Sequence, residues 1–232
     1  MTEPRTVSSD YSDYRNTFIG AFRQIINETP PRELDEAAFP AYSHPNPIIN
    51  WIYWRRLKAV MDEIKLGGEI DCALDFGCGS GVLLPFLAFY AKQVIGADLD
   101  TAPFYKMQKY IDFPDTIEIL DLNRTALETL PSETVDLLTA LNVLEHIDDP
   151  TSAIDQFFRI LKPNGKMIVA LPKENTLYRF ARKLAGKEFT GNYHSTTYDK
   201  VEVLCAAHGQ LNFLLKHSIF NNVFHIFSAV KR

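Results

Sequence analysis

The chain has 232 residues, 46% hydrophobic and 23% charged, with 11 glycines and 13 prolines, a composition that excludes collagen-like, coiled-coil and wholly disordered proteins. Its net charge of −5 and pI of about 5.7 argue against nucleic acid as a partner, because a phosphate backbone asks for a basic stripe and a pI above roughly 9. The length suits one α/β domain with short extensions. Cys72, Cys78 and Cys205 are odd in number and two lie in apolar runs, so no disulfide framework is implied and a reducing cytoplasm fits. The start, Met1 to Asp10, lacks an apolar signal core, and the longest nearly unbroken apolar run, Val82 to Ala91, is half the ~20 residues a spanning helix needs. A cytoplasmic protein, neither exported by an ordinary signal nor threaded through a membrane, is the expectation.

Residues 1 to 45 show no clean period and contain the Thr29-Pro30-Pro31 break; they read as one short helix around Tyr14 to Ile26 plus loop, an N-terminal extension or lid on a domain spanning 46–232. Asn50 to Leu66 places Leu57, Val60, Met61 and Ile64 on one stripe, the mark of an amphipathic helix. From residue 70 short β-rich runs alternate with helical stretches: Ile70 to Phe76, Gln93 to Asp98, Thr116 to Leu120, Val135 to Ala140 and Lys166 to Leu171 are the strands. Such alternation predicts an α/β fold with a mostly parallel sheet covered on both faces.

Between them, Val82 to Tyr90 reads as a helix apolar nearly all round, and Asp100-Thr101-Ala102-Pro103 and Asp149-Pro150 read as helix starts. Ile154, Phe157, Phe158 and Leu161 form the stripe of the second of these, before the turn chemistry of Lys162-Pro163-Asn164-Gly165. A basic, aromatic stretch follows Pro172 (Tyr178, Arg179, Phe180, Arg182, Lys183), then a polar segment to Thr197. Thr196 and Asp199 resemble a capping box, with Val201, Leu204 and Cys205 buried and Gly209 ending the helix. Leu211 to Ile219 and Val223 to Val230 read as an antiparallel pair turning at Asn221-Asn222.

The strongest motif is Ala73-Leu74-Asp75-Phe76-Gly77-Cys78-Gly79-Ser80-Gly81, an apolar strand running into three alternate glycines. Glycines let the backbone turn sharply and approach a ligand, and in an open parallel sheet ligands sit at the carboxyl ends of the strands. A dinucleotide fingerprint would need its third glycine at 82, which is Val. Asp75 before the loop repels phosphate and suits a cation. Asp98 ends the second strand about 20 residues after the first glycine, where an acid accepts from both ribose hydroxyls; Asp121 ends the third, placed to accept from an adenine amino group. Three carboxylates and no base in the loop favour a ligand with positive charge, a ribose and no phosphates.

These residues resemble a class I S-adenosylmethionine-dependent methyltransferase, through Leu74 to Gly81, Val94-Ile95-Gly96-Ala97-Asp98, Val135-Asp136-Leu137-Leu138 into Leu141-Asn142-Val143-Leu144-Glu145-His146-Ile147, and Arg159 to Lys166. The likeness covers about residues 50 to 230, and within the family the chain is similar to the branch of ubiquinone-biosynthesis and other small-molecule methyltransferases. It implies a Rossmann-like methyltransferase fold: a seven-stranded, mostly parallel sheet with an antiparallel last strand and helices on both faces. It implies that Asp75 with Gly77, Cys78, Gly79 and Gly81 holds the methionine part, Asp98 with Leu99 beside it the ribose, Asp121 with Leu122 the adenine region, and Asn142 the sulfonium end. The expected function is methyl transfer from S-adenosyl-L-methionine, leaving S-adenosyl-L-homocysteine, to a small or lipid-like acceptor without a metal motif; a silent cofactor-binding protein and, behind it, a nicotinamide-dependent reductase are the alternatives.

Methyl transfer from a sulfonium is an in-line displacement that positioning alone can accelerate, and a base is needed only where the acceptor loses a proton. His146 and His194 are the candidates; the plainer reading makes each a wall or helix-start residue. Asn142-Val143-Leu144-Glu145 is not the Asn/Asp-Pro-Pro-aromatic motif of base-amine methylases, and Glu145 stands alone where arginine methyltransferases have two glutamates. Trp51, Trp54, Arg55 and Arg56 read either as a contact with a membrane surface or apolar acceptor, or as a covering helix with its arginines in water. Tyr42 and His44 are candidates for a lid.

Overall fold

The computed structural model describes residues 4–29, 40–172, 195–213 and 224–232. The Pro30-Pro31 break, the basic stretch from Tyr178 to Lys183, His194 and the Asn221-Asn222 turn lie outside the described residues.

Seven strands form one sheet in the order β3-β2-β1-β4-β5-β7-β6: β1 (Ile70–Phe76), β2 (Ala91–Asp98), β3 (Ile117–Asp121), β4 (Val135–Leu141), β5 (Leu161–Pro172), β6 (Gly209–Phe213) and β7 (Phe224–Lys231). The first five pair in parallel, and β7 runs antiparallel between β5 and β6, as the resemblance implies. The helices are α1 (Tyr11–Glu28), α2 (Pro40–Ser43), α3 (Pro47–Lys65), α4 (Leu84–Ala88), α5 (Ala102–Met107), α6 (Thr151–Ile160) and α7 (Tyr198–His208).

Alternation along the strands divides the core. Ala73, Leu137, Ile168 and Ala170 face the side covered by α1, α3, α4 and α5. Leu74, Leu138, Val169 and Leu171 face the side covered by α6 and α7. Residues 162–165, read from sequence as a turn, are a bulge inside β5: Val135 pairs with Leu161 and Leu137 already with Lys166, and Asn164 takes φ 63°.

The N-terminal region is more regular than its sequence suggests. Asp10 caps α1 by accepting from the Ser12 and Asp13 N–H groups at 2.8 and 3.1 Å, and Tyr14, Phe18, Ala21, Phe22 and Ile25 form a buried stripe at helical spacing. The Tyr14 hydroxyl donates to the Val82 carbonyl at 2.6 Å. Ahead of the helix, Arg5 bridges in parallel to Ile111. This helix shares the core of the sheet's first face.

Other local expectations change in detail. α4 has five residues, ends on tight bonds from Phe89 N–H to Phe86 O and Tyr90 N–H to Leu87 O, and passes at once into β2. The capping box does not form: Thr197 is the cap residue of α7 and makes no side-chain cap bond, while the Thr196 hydroxyl donates to the Ile147 carbonyl at 2.6 Å. Gly209 is extended, with φ −152°, and begins β6. All three cysteines are free thiols.

Because α1 is part of the core, Phe18→Ala should lower the unfolding free energy by about 3–5 kcal/mol, the usual cost of emptying a buried phenylalanine site. Urea denaturation followed by tryptophan fluorescence measures it; a change below about 1 kcal/mol would make α1 a detachable extension.

Candidate active site

β1 has β2 on one side and β4 on the other, so the crossovers leave in opposite directions and a crevice opens at the carboxyl ends of these strands. The loop after β1 enters it. Gly77, Gly79 and Gly81 have φ of 73°, 53° and 74°, a region that residues with a Cβ rarely occupy. A Cβ on Gly77 would stand 2.6 Å from the Cβ of Val143, so the loops after β1 and β4 meet with no room for a side chain.

The acidic residues differ in environment. Asp98 accepts from the Gly79 N–H at 2.7 Å and from the Asp100 N–H at 3.0 Å, which ties the glycine loop to the end of β2; burial raises its pKa and these backbone donors oppose the rise. Its remaining lone pairs face no competing cation among the described residues' ion pairs. Asp121 pairs in register with Asp98 but is more open. It accepts from the Asn123 N–H at 2.9 Å and pairs with Arg124 at 3.2 Å. Leu99 is 65% exposed and Leu122 half-buried, apolar surfaces flanking the two acids. Asp75 is buried; burial pushes its carboxyl up to about 7 against the Thr139 hydroxyl, which donates at 2.6 Å. Burial also raises the Cys78 thiol well above its ordinary value.

The residue missed from sequence is Arg56. Placed in water by the simple reading, it is 3% exposed and hydrogen-bonds to the Asn142 side-chain oxygen and the Tyr42 hydroxyl. The rings of Tyr42, Tyr53 and Phe224 lie 5.6, 5.2 and 5.2 Å from its guanidinium carbon, within cation–π range. Its charge lowers the pKa of both Asp75 and Glu145, and its Nε is buried without a hydrogen-bond partner among the described residues. The signal was present: Ile49, Arg56 and Val60 share one buried helical stripe, and an arginine inside such a stripe is not a surface residue. Trp54 is likewise only 1% exposed, whereas Trp51 is 52% exposed; Arg55 is exposed. Trp54 and Arg56 therefore cannot contribute to a membrane-facing surface, because helix phase turns them inward.

The β4 exit shows the same division. Asn142 has φ 56°, and its N–H donates to the Ala170 carbonyl at 2.8 Å, which aims it over the strand ends. In the single turn of 3-10 helix that follows, Leu144–His146, Glu145 is buried and His146 exposed. Burial pushes the Glu145 carboxyl up to about 8, and neither oxygen has a hydrogen-bond partner among the described residues. Tyr42, a candidate lid residue, is buried beside Trp54, whose ring lies 5.2 Å away. No group of three histidines, cysteines or carboxylates is gathered to hold a metal among the described residues.

The donor set fits a zwitterionic nucleoside. A buried acid answers an ammonium, an unpaired guanidinium Nε answers a carboxylate, Asp98 answers vicinal hydroxyls, and the glycine loop leaves space at the backbone.

Residues 74–169 match the family described as Methyltransferase domain. The chain is 31% identical over 157 residues to a ubiquinone biosynthesis O-methyltransferase of Pseudomonas fluorescens (strain SBW25), covering 66% of this chain and 62% of that protein. It is 30% identical over 142 residues to the protein of the same name from Pseudomonas putida (strain W619), covering 60% and 57%. The chain thus spans less than two thirds of the length of these curated relatives. Among solved structures, the N-methyltransferase NodS from Bradyrhizobium japonicum WM9 in complex with S-adenosyl-l-homocysteine superimposes with TM-score 0.59 at 17% identity, over 93% of this chain and 98% of that one. The PH0226 protein from Pyrococcus horikoshii OT3 superimposes with TM-score 0.58 at 17% identity, over 84% and 96%. Over residues 74–169 the chain is thus similar to the methyltransferase-domain family, and it shares the fold of these solved structures.

Proposed function

We propose that the protein transfers a methyl group from S-adenosylmethionine to an oxygen of a small or lipid-like acceptor in the cytoplasm. The observation that carries this reading is the pair of buried opposite charges, Asp75 and Arg56, at the switch point beside a glycine loop with no room for side chains. Two relatives named for O-methyl transfer support oxygen as the acceptor atom, and free thiols support a reducing compartment. No helix among the described residues is long and apolar enough to cross a membrane.

Bound at this site, S-adenosylmethionine supplies an activated methyl group on a sulfonium. Asp75 and the glycine loop hold the amino-acid end, with Arg56 neutralising its carboxylate through the free Nε. Asp98 holds the ribose hydroxyls. Leu99 and Leu122 cover the base, and Asp121 reaches its amino group from the open side. Asn142, fixed by Arg56, orients the end nearest the acceptor. Tyr42, Tyr53 and Phe224 form an aromatic wall around Arg56 that favours a planar acceptor. Water exclusion and alignment then supply the acceleration.

Asp98→Ala should weaken binding of S-adenosylhomocysteine by about 10- to 150-fold, because a hydrogen bond to a charged group is worth about 1.5–3 kcal/mol. Titration calorimetry measures this; unchanged affinity would remove Asp98 from the site. In the same assay, reduced nicotinamide dinucleotide should not bind, and turnover of S-adenosylmethionine in an acceptor screen separates an enzyme from a silent binder.

Asp75 sets a pH dependence. Its carboxyl ionises near 7, and only the ionised form attracts an ammonium, so affinity for S-adenosylhomocysteine should rise from pH 6 to pH 8. The apo fold responds in the opposite sense: a carboxyl whose pKa is raised by folding supports stability at low pH and withdraws that support as pH rises through its folded pKa. Asp75→Asn should abolish the rise in affinity; a rise that persists would place the ionisation elsewhere.

A further inference from the structure

The buried polar group left without a role is Glu145. Both of its oxygens are buried with no hydrogen-bond partner among the described residues, an arrangement that costs folding free energy. It follows Asn142 by three residues in the same connection, and the Ser195 and Thr196 N–H groups hold its backbone carbonyl at 2.7 and 3.2 Å, which fixes the turn that carries it. The charged group acting on it from a neighbouring helix is Arg56. The 195–197 segment packed on its backbone adds only hydroxyls, and its neighbours His146 and Asp148 are exposed. Arg56 itself hydrogen-bonds to Asn142 and its charge acts on Glu145, so the carboxyl belongs to the β4 exit, on the side of β1 opposite to β2 and β3 with Asp98 and Asp121.

We propose that Glu145 accepts the proton of the methyl acceptor's hydroxyl, an inference that rests on the methyltransferase reading above. The acceptor's O–H proton passes to a Glu145 oxygen as the acceptor oxygen forms its bond to the methyl carbon; the electron pair of the broken sulfur–carbon bond stays on sulfur, and the proton leaves to water after the products. The site supplies the control. Without a ligand the carboxyl is protonated at neutral pH, since burial holds it near 8. A sulfonium nearby lowers that value and ionises it, whereas the neutral thioether of the product restores it. Glu145 is thus a base only when the methyl donor is present.

Calorimetry in two buffers of different ionisation enthalpy counts the protons released near neutral pH when the full-length protein binds S-adenosylmethionine or S-adenosylhomocysteine. Both ligands carry the amino-acid group that acts on Asp75, so their difference isolates the sulfonium. The wild type should release more protons with S-adenosylmethionine, and in Glu145→Gln this excess should vanish while S-adenosylhomocysteine binds as before. An equal count for the two ligands in the wild type, or an excess that survives in Glu145→Gln, overturns the proposal. Failure of both to bind sinks the methyltransferase reading itself. With phenol and 4-nitrophenol as probe acceptors, the variant should lose about 10²–10⁴-fold in kcat on phenol and little on 4-nitrophenol, which is ionised at mildly alkaline pH. Equal losses on both would mark a purely structural role.

Discussion

The site depends on the reversal of winding between β1 and β4. These strands pair in parallel, with Asp75 opposite Thr139 and Phe76 opposite Ala140, yet their connections diverge to opposite flanks. The loops leaving them touch at one point, Gly77 against Val143. On one flank β2 and β3 bring Asp98 and Asp121 to the crevice. On the other, β4 brings Asn142 and Glu145, and β7, inserted antiparallel, brings Phe224 at its start. Were β7 parallel, that phenylalanine would lie at the amino ends of the strands, away from the crevice, and Arg56 would lose one of its rings.

Burial of charge gives the crevice its selectivity. A buried ion is tolerated when paired or hydrogen-bonded and is otherwise neutralised by a shift in pKa. Arg56 takes the first course, with two hydrogen-bond acceptors and three rings. Among the described residues Asp75 has the Thr139 hydroxyl as partner and Glu145 has none; both acids are pushed toward the neutral form. A ligand that carries its own ammonium, carboxylate and sulfonium meets these three groups with complementary charge. A dinucleotide, with phosphates beside Asp75 and Asp98, would meet repulsion there, and the five-residue α4 offers little helix dipole to offset it.

The parallel strands, the glycine loop and the strand-end acids were legible because each is a local pattern: strands alternating with helices mark a parallel sheet, three alternate glycines mark a turn, and an acid lies at or next to the end of three strands. The N-terminal stripe was also written at helical spacing in Tyr14, Phe18, Ala21, Phe22 and Ile25, but the surrounding Asn, Arg and Gln masked it. The α7 cap failed because Thr196 found a stronger local use on the Ile147 carbonyl.

The sequence by itself determined that the chain winds into a parallel sheet and carries carboxylates at or next to the ends of three strands around a glycine turn, since those features arise from neighbours along the chain. Arg55 and Arg56 differ by about 100° of helix phase, and the apolar stripe of α3 already carries the phase that buries Arg56. Only tertiary structure decided what the buried side chains meet, because each contact joins residues far apart in sequence. Arg56 meets Asn142 and Tyr42 from other parts of the chain, and Glu145 is buried where His146 beside it is exposed. That packing puts an arginine among aromatic rings and leaves a carboxyl without a hydrogen-bond partner among the described residues, and it makes the β4 side of the crevice chemically distinct from the side that carries Asp98 and Asp121.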